Sequence, residues 1–239
     1  MLAAVHRKDN PPMPETSPQA NTWPATPGRP WIKTATRLLL RLVCDYQIIG
    51  RENLGLEPPY ILVANHLSYW DIPVVYSAPP IPMVGMAARK YKDTWKEPFF
   101  TLFPLIWVEQ FSADRRALQD AITVLKGGAA LGLAPEGTRS RAYQLTEGRP
   151  GVAFIATRAN VPIVPGCVMG TEKILKHPRP HVVARFGKAF RLPEGRAKGD
   201  TLDAHTERIM CAIAALLPEE YHGFYAGNPL IDEMRQIVT

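Results

Sequence analysis

Short apolar runs alternate with helical stretches along this chain after residue 30. Apolar runs of about four to eight residues indicate buried strands, and apolar positions recurring every three or four residues indicate helices. Because the two alternate, we predict an α/β domain with a mostly parallel central sheet flanked by helices. The predicted strands are residues 46–50, 60–64, 81–87, 129–134, 161–165 and 181–186, and the predicted helices are 72–78, one running from the capping residues 112–114 to about 126, 150–159 and one starting near 200.

The first 30 residues differ from the rest, since they are polar and contain many prolines. We expect residues 1–30 to be a flexible leader and residues 31–239 to form a single domain, because 239 residues with 46% apolar composition suit one sizeable core. The leader has no apolar core of the kind a signal peptide needs, and no window approaches the roughly 20 apolar residues of a transmembrane helix. We therefore predict neither.

An amphipathic helix is predicted at residues 31–46, directly after the leader. Its apolar positions follow helical spacing, while Lys33, Arg37 and Arg41 form a basic row to one side. This pattern has two interpretations. The helix either belongs to the globular domain with a solvated charged face, or lies in a membrane interface with Trp31 at the boundary.

The chain carries a formal net charge of +6 and a pI near 9.3, which suits an anionic partner. The basic residues are dispersed and no nucleic-acid-binding module is visible, so we expect a membrane surface or a phosphorylated substrate rather than nucleic acid. The cysteines Cys44, Cys167 and Cys211 are widely spaced among apolar residues. We interpret them as buried thiols of a reducing compartment, and we predict no metal site.

The candidate chemistry begins where the apolar run at residues 60–64 ends and Asn65 and His66 follow. Asp71 lies five residues after His66, so the chain must turn between them if they pair, and a strand, tight turn and helix start would achieve this. A carboxylate on one ring nitrogen fixes the tautomer and makes the other nitrogen a better base. The alternative is a capped turn with a satisfied histidine.

A second loop, Glu136, Gly137, Thr138 and Arg139, follows the predicted strand at 129–134. Functional groups of parallel sheets gather beyond the carboxyl ends of the strands, so this loop and His66 are expected to share a cleft. An imidazole base suits removal of a proton from a hydroxyl, and an arginine suits a phosphate or carboxylate. The sequence contains no Gly-x-Ser-x-Gly elbow, phosphate-binding loop or Gly-x-Gly-x-x-Gly motif.

These residues resemble a known family. The segment from Asn65 and His66 to Asp71 resembles the Asn-His-x4-Asp signature of the glycerolipid acyltransferases, whose best-known members are the lysophosphatidic acid acyltransferases. Residues 135–140 are similar to the acceptor-binding block of that family, and residues 161–165 to its last block. The resemblance covers roughly residues 46–190, with the blocks in the family's order.

The resemblance implies transfer of an acyl group from acyl-CoA or acyl carrier protein to the hydroxyl of a lysophospholipid such as lysophosphatidic acid, without a cofactor. His66 would be the general base, and Asp71 would orient it, so no acyl-enzyme is required. Glu136, Gly137, Thr138 and Arg139 would shape the acceptor site, with Arg139 reaching the phosphate. The alternative for Glu136 and Arg139 is a surface ion pair. Together with the basic helix and the absence of a spanning segment, the resemblance favours a peripheral protein at the cytoplasmic face of a membrane.

One position departs from the family pattern. Gln110 aligns with an arginine that usually ends the second block, which suggests that an acceptor-phosphate contact is missing or replaced. Arg89, Arg149 and the pair at 115–116 are candidates for compensation. The acceptor headgroup therefore stays open, as does a non-catalytic lipid-binding protein on the same fold. Loss of His66 or Asp71 would mark such a protein, and both are present.

Overall fold

A seven-stranded sheet forms the centre of the described structure, a computed structural model that describes residues 30–81, 83–112, 114–195 and 197–239. Apart from Pro30, the predicted leader lies outside the described residues. The strands are β1 (Asp45–Ile49), β2 (Ile61–Ala64), β3 (Met83–Ala88), β4 (Leu105–Val108), β5 (Ala130–Leu133), β6 (Ile163–Met169) and β7 (His181–Phe186). The helices are α1 (Pro30–Val43), α2 (Asp71–Ser77), α3 (Glu97–Phe100), α4 (Arg115–Lys126), α5 (Gly151–Ala159), α6 (Asp200–Ala214) and α7 (Leu230–Val238).

The strand order is β1-β7-β6-β2-β5-β3-β4. Strands β2 to β6 run parallel, β7 is antiparallel to β6, and β1 is parallel to β7. The predicted α/β class with a mostly parallel sheet is confirmed. The reversal at β7 was not predicted. The connection after β6, residues 170–180, contains no α-helix, whereas a parallel crossover usually carries one. We call the edge at which β2 to β6 end the carboxyl edge.

Helices cover both faces of the sheet, as a parallel sheet requires. One face packs against α4, α5, α6 and α7, and the other against α1 and α2. All four residues of β2 are buried, which explains their uninterrupted apolar run. The chain that leaves β2 toward the carboxyl edge therefore starts from a fully buried strand.

Most predicted elements are confirmed with small shifts of their ends. Asp114 caps α4 by accepting a hydrogen bond from the backbone of Ala117 at 3.0 Å, as the predicted capping segment requires. Three elements were missed, namely α3, β4 and α7. Helix α3 and strand β4 each span four residues within one apolar and aromatic stretch, where helix and strand patterns cannot be told apart.

Helix α1 ends at Val43, and two of the three cations in its basic row, Lys33 and Arg37, contact the protein and do not face solvent as one interpretation required, whereas Arg41 is exposed. The Lys33 ammonium donates hydrogen bonds to the carbonyls of Pro79 at 2.8 Å and Ile81 at 2.5 Å. The Arg37 guanidinium donates to the carbonyl of Ser77 at 2.6 and 2.9 Å. Arg37 therefore satisfies a carbonyl at the end of α2, where a helix leaves its last acceptors unpaired, and Lys33 satisfies two carbonyls in the segment that follows.

Large apolar side chains cover the outer side of α1 instead. Trp31, Leu38, Leu39 and Leu42 are exposed, whereas Ile32 and Leu40 are buried. The pattern was read correctly as amphipathic, but periodicity alone does not show which stripe faces the core. Among the described residues, no helix is long and apolar enough to cross a membrane.

Candidate active site

Asn65 fixes the chain at the point where it leaves β2. Its amide nitrogen donates to the carbonyl of Val168 at 3.0 Å, and its amide oxygen accepts from the backbone nitrogen of Val168 at 2.7 Å. An amide side chain carries both the donor and the acceptor that this double contact needs. The end of β2 is thereby joined to β6, and the next residue, His66, is placed at the carboxyl edge.

His66 and Asp71 pair as the predicted turn requires. The distance between His66 Nδ1 and Asp71 Oδ2 is 2.7 Å, and Asp71 is the first residue of α2. The same oxygen accepts from the backbone nitrogens of Leu67 at 2.6 Å and Ser68 at 2.8 Å. The same carboxylate oxygen therefore caps the turn and orients the imidazole. The two interpretations of this segment describe one structure. The carboxylate favours the tautomer with the proton on Nδ1, and no described residue hydrogen-bonds to Nε2.

Thr171 completes the surroundings of Asp71, and the sequence did not reveal it. Its hydroxyl donates to Asp71 Oδ1 at 2.5 Å, and the residue is fully buried. Gly170 makes this placement possible, because it has φ of 79° and a Cβ there would lie 2.1 Å from the carbonyl oxygen of His181. The only sign of Thr171 in the sequence was a polar residue just after the glycine that follows the apolar run of β6, a strand that ends at the same edge.

Glu136 joins the His66 loop to the second loop. It is only 1% exposed, and its Oε1 accepts from the backbone nitrogen of His66 at 2.9 Å. Its Oε2 accepts from the backbone nitrogen and the hydroxyl of Thr146 at 2.9 and 2.8 Å. Burial raises the pKa of Glu136, while the hydrogen bonds from Thr146 and His66 oppose the rise. Protein donors occupy both oxygens, so Glu136 shapes the site by holding the loops together and forms no surface ion pair with Arg139.

The rest of the second loop turns sharply and contacts Gln110. Gly137 has φ of 69°, a conformation that favours glycine, and its carbonyl accepts from the Gln110 side-chain nitrogen at 2.7 Å. Thr138 follows and is half-buried. The residue that departs from the family pattern therefore lies against the loop predicted to bind the acceptor, where its amide fixes that loop.

Two cations converge on Tyr69, three residues after His66. The Arg139 guanidinium lies 3.9 Å from the centroid of the Tyr69 ring, and Lys96 Nζ lies 3.2 Å from its hydroxyl. Tyr91 shares the network, with 3.2 Å between the two phenol oxygens. Burial raises the pKa of Tyr69, but the hydrogen bonds to Tyr91 and Lys96 and the nearby positive charges outweigh it and lower the pKa. Arg139 and Lys96 belong to none of the described ion pairs, so together they form a site suited to an anion.

The other predicted arginines lie at the carboxyl edge but outside this cluster. Arg89 Nε is paired with Glu109 Oε1 at 2.9 Å, and both side chains are largely exposed. Arg149 lies with its guanidinium 5.4 Å from the centroid of the Phe111 ring. The structure therefore brings His66, Asp71 and the second loop together and leaves these two arginines at the periphery. Lys96, which no motif singled out, lies at Tyr69 together with Arg139.

Thiol and metal chemistry receive no support from the described residues. Cys44, Cys167 and Cys211 are free and buried, as predicted, and burial raises the pKa of Cys167 and of Cys211 to about 12. No three His, Cys, Asp or Glu side chains within the described ranges lie together as metal ligands. The carboxyl edge presents an oriented imidazole beside a cationic site.

The fold and the site define an α/β protein whose sheet presents a histidine–aspartate pair at its carboxyl edge. The model of the family described as Acyltransferase matches residues 45–169, which is more than half of the chain. The chain belongs to the acyltransferase family.

Within this family, the chain is similar to several 1-acyl-sn-glycerol-3-phosphate acyltransferases. A 1-acyl-sn-glycerol-3-phosphate acyltransferase of Saccharomyces cerevisiae is 33% identical over 146 residues, which are 57% of this chain and 46% of the relative. One of Chlamydomonas reinhardtii is 31% identical over 189 residues, 74% of this chain and 54% of the relative. The chain thus spans about half the length of these curated relatives. The crystal structure of PlsC, the 1-acyl-sn-glycerophosphate acyltransferase of Thermotoga maritima, has the same fold, with a TM-score of 0.59, 24% identity and 75% coverage of both chains.

Proposed function

We propose that this protein transfers a fatty acyl group from an acyl thioester to the hydroxyl of a lysophospholipid, with lysophosphatidic acid as the leading acceptor. The observation that carries the proposal is the 2.7 Å contact between His66 Nδ1 and Asp71 Oδ2, which leaves Nε2 for a substrate hydroxyl. The names of the relatives support the same reaction. The donor is a thioester of coenzyme A or acyl carrier protein, and no further cofactor is required.

His66 acts as a general base in this reaction. Nε2 takes the proton of the acceptor hydroxyl while the hydroxyl oxygen attacks the thioester carbonyl carbon. Asp71 stabilises the imidazolium that forms, as a buried carboxylate does in hydrolase triads. When the tetrahedral intermediate collapses, the carbon–sulfur bond breaks, and the leaving thiolate takes the proton from Nε2. The products are the acylated lipid and the free thiol.

The serines near the site fit this direct transfer. Ser68 accepts a hydrogen bond from the backbone nitrogen of Trp70 at 3.0 Å and lies against Asp71. Ser140 is buried, and its hydroxyl accepts from the backbone nitrogen of Gln144 at 3.2 Å. Both hydroxyls support the loops, and neither is needed as a nucleophile.

The acceptor phosphate binds at Arg139, with Lys96 as a second cation. A guanidinium and an ammonium on one aromatic platform provide both geometry and charge for a phosphate. This pair compensates for Gln110, whose amide is committed to Gly137. Gly137 and Thr138 form the wall of the acceptor site, Glu136 holds its two loops together, and Arg89 and Arg149 add positive charge at its margin.

Helix α1 places the protein on a membrane. Its exposed stripe contains Trp31, Leu38, Leu39 and Leu42, and fully burying one such side chain stabilises by about 1.5–3 kcal/mol. Even partial insertion of this stripe into the interface therefore provides several kcal/mol, to which the exposed Arg41 adds attraction for anionic lipids. The three free thiols fit the cytoplasmic face of that membrane.

The test is product formation from mixed lysolipids and an acyl donor, followed by mass analysis and by release of the donor thiol. His66→Ala is expected to abolish thiol release. His181→Ala is the matched control, because His181 Nδ1 contacts Asp45 Oδ2 at 2.9 Å in a similar but exposed pair. Vesicle binding without thioester cleavage for any acceptor would instead identify a non-catalytic lipid-binding protein. Full activity of His66→Ala would remove the proposed base.

A further inference from the structure

The loop between β6 and β7 presents a set of positive charges. It comprises residues 170–180, and Lys173, Lys176 and Arg179 within it are exposed. None of the three belongs to a described ion pair. The only acid in this segment, Glu172, is buried. We call the segment the β6 loop, and its exposed formal charges are all positive.

The backbone of the β6 loop is fixed by the core and by internal hydrogen bonds. Ile174 is only 4% exposed and packs in a cluster of buried residues from β6 and β7. The backbone nitrogens of Lys176 and His177 donate to the carbonyl of Lys173 at 3.0 and 3.1 Å. A loop whose backbone is already ordered loses less conformational entropy when a ligand binds. The three cations are therefore carried on a preformed backbone.

The β6 loop lies beside the proposed base. Strand β2, which leads into the His66 loop, lies between β6 and β5 in the sheet. Thr171, in the β6 loop, donates to Asp71 Oδ1 at 2.5 Å and so joins this loop to the partner of His66. Lys176 Nζ lies 3.0 Å from the hydroxyl of Tyr143, which follows β5. Because this contact joins the loops on the two sides of the His66 loop, Lys176 lies on the side of the β6 loop that faces β2.

The cations assigned to the acceptor lie on the other side of the histidine. Arg139 follows β5 and Lys96 follows β3, and both strands lie on the far side of β2 from β6. The carboxyl edge thus carries two groups of cations with the His66 loop between them. Two anionic substrates repel each other, so they bind together most readily when each has its own group of cations.

The proposed reaction needs two such groups. It brings a phosphate-bearing acceptor and an acyl thioester to His66 together, because the acceptor gives up the proton and the thioester supplies the carbonyl carbon. In coenzyme A a flexible pantetheine arm joins the thiol to a diphosphate and a ribose 3′-phosphate. Arg139 and Lys96 are assigned to the acceptor phosphate, so the donor phosphates require other cations.

We propose that the β6 loop binds the phosphates of a coenzyme A thioester through Lys173, Lys176 and Arg179, so that the thioester reaches His66 from the β6 side. Lysine ammonium groups bind phosphate as point charges, and the arginine fork binds two oxygens of one phosphate. The identity of the ligand rests on the proposed function, because that reaction defines the donor.

The size of the basic segment favours coenzyme A over an acidic carrier protein. The three cations lie within residues 173–179, a span of seven residues. A standard protein–protein interface takes roughly 20–30 residues from each partner. A short segment with three positive charges instead suits a small ligand whose few negative charges lie close together.

The test is binding of coenzyme A itself, measured by isothermal titration calorimetry with the full chain at low salt, where charged contacts are screened least. For the double variant Lys176→Gln/Arg179→Gln we expect an increase of about tenfold in Kd, equivalent to about 1.4 kcal/mol. The matched control is Lys126→Gln/Lys188→Gln. It removes the same charge from exposed lysines at the opposite edge, at the end of α4 and just after β7. Its Kd should stay within about twofold of the wild-type value.

Steady-state kinetics separate this site from the acceptor site. With each substrate varied in turn, the KM for acyl-CoA should rise in the double variant, while the KM for the acceptor stays within about twofold of the wild-type value. A rise in the acceptor KM alone would overturn the proposal and place the acceptor phosphate at the β6 loop. Lower turnover with a carrier-protein thioester only would also overturn it, since the loop would then recognise a protein.

The binding measurement does not depend on turnover. Unchanged coenzyme A binding in the double variant, or no binding by the wild type, would overturn the proposed site whether or not acyl transfer occurs. A wild type that binds coenzyme A through the β6 loop but transfers no acyl group would contradict the proposed function and still support the site.

Discussion

Thr171 Oγ1 lies 2.5 Å from Asp71 Oδ1, while the other carboxylate oxygen of Asp71 binds His66. The hydroxyl comes from the turn after β6, and the aspartate from the start of α2. The turn after β6 thereby supports the first block of the family pattern. We infer that Thr171 is a positioning residue that sets the orientation of Asp71, and through it the orientation of His66.

Replacing Thr171 by valine should reduce the rate of acyl transfer by roughly ten- to a hundredfold. Asp71 Oδ1 is buried and would lose its hydrogen-bond donor, which costs about 1–3 kcal/mol. Without that donor Asp71 holds His66 less firmly in place, so kcat should fall while the KM for either substrate changes little, as steady-state kinetics measure.

Serine at this position is the matched control, since Thr171→Ser keeps the hydroxyl and should recover most of kcat. Wild-type kcat in Thr171→Val together with a loss in Thr171→Ser would mean that Thr171 acts only through packing. The thermal stability of both variants shows whether the fold is retained.

The sequence could predict the parts of the site that lie close together along the chain. A buried run followed by Asn65 and His66 predicts a strand end, and a five-residue turn brings Asp71 back to it. Thr171 lies 100 residues beyond Asp71, and its role depends on β6 being the neighbour of β2, which local pattern does not reveal. Lys96 was missed for the same reason, because only folding brings it to Tyr69. The inward cations of α1 show the other limit, since a periodic stripe does not show which way it faces.

Exchanging Glu136 for glutamine should lower the free energy of unfolding, although the two side chains have nearly the same shape. Both carboxylate oxygens accept hydrogen bonds, from His66 on one side and Thr146 on the other. An amide offers only one acceptor oxygen, so its NH2 group would face a donor, at about 1–3 kcal/mol. Urea unfolding should show this loss, and kcat should fall more than the KM for either substrate changes. A Glu136→Gln variant as stable as the wild type would contradict the role of Glu136 in holding the two loops together.

Removal of the Arg139 guanidinium should weaken binding of the acceptor more than binding of the donor. We expect Arg139→Ala to raise the KM for a phosphate-bearing acceptor by roughly ten- to a hundredfold, since charge-assisted hydrogen bonds contribute about 1.5–3 kcal/mol. The KM for the donor should change little. Steady-state kinetics with each substrate varied in turn measure both values.

Arg158→Ala provides the matched control for Arg139, because Arg158 also lies over an aromatic ring, 5.2 Å from the centroid of Phe154, but on α5. Its kinetics should match the wild type. A rise in the KM for the donor alone in Arg139→Ala would assign this cation to the donor phosphates instead.

The contact between α1 and α2 should appear as a pH dependence of stability. Burial, and secondarily the charge of Arg37, lowers the pKa of Lys33 from 10.5 to about 8 in the folded protein, where its ammonium also lies 5.2 Å from the Tyr76 ring. Between these two values the unfolded chain binds more protons at this residue than the folded one. The contribution of Lys33 to the free energy of unfolding therefore rises with pH across this window, by at most about 1.4 kcal/mol per pH unit.

Lys33→Met removes this titration and leaves the other groups in place. The free energy of unfolding of the wild type minus that of Lys33→Met should therefore increase between about pH 8 and pH 10.5, as measured by urea unfolding at several pH values. Arg41→Met, on the exposed side of the same helix, should give a difference that does not vary with pH. Parallel profiles for the wild type and Lys33→Met would show that the Lys33 ammonium keeps its ordinary pKa in the folded protein.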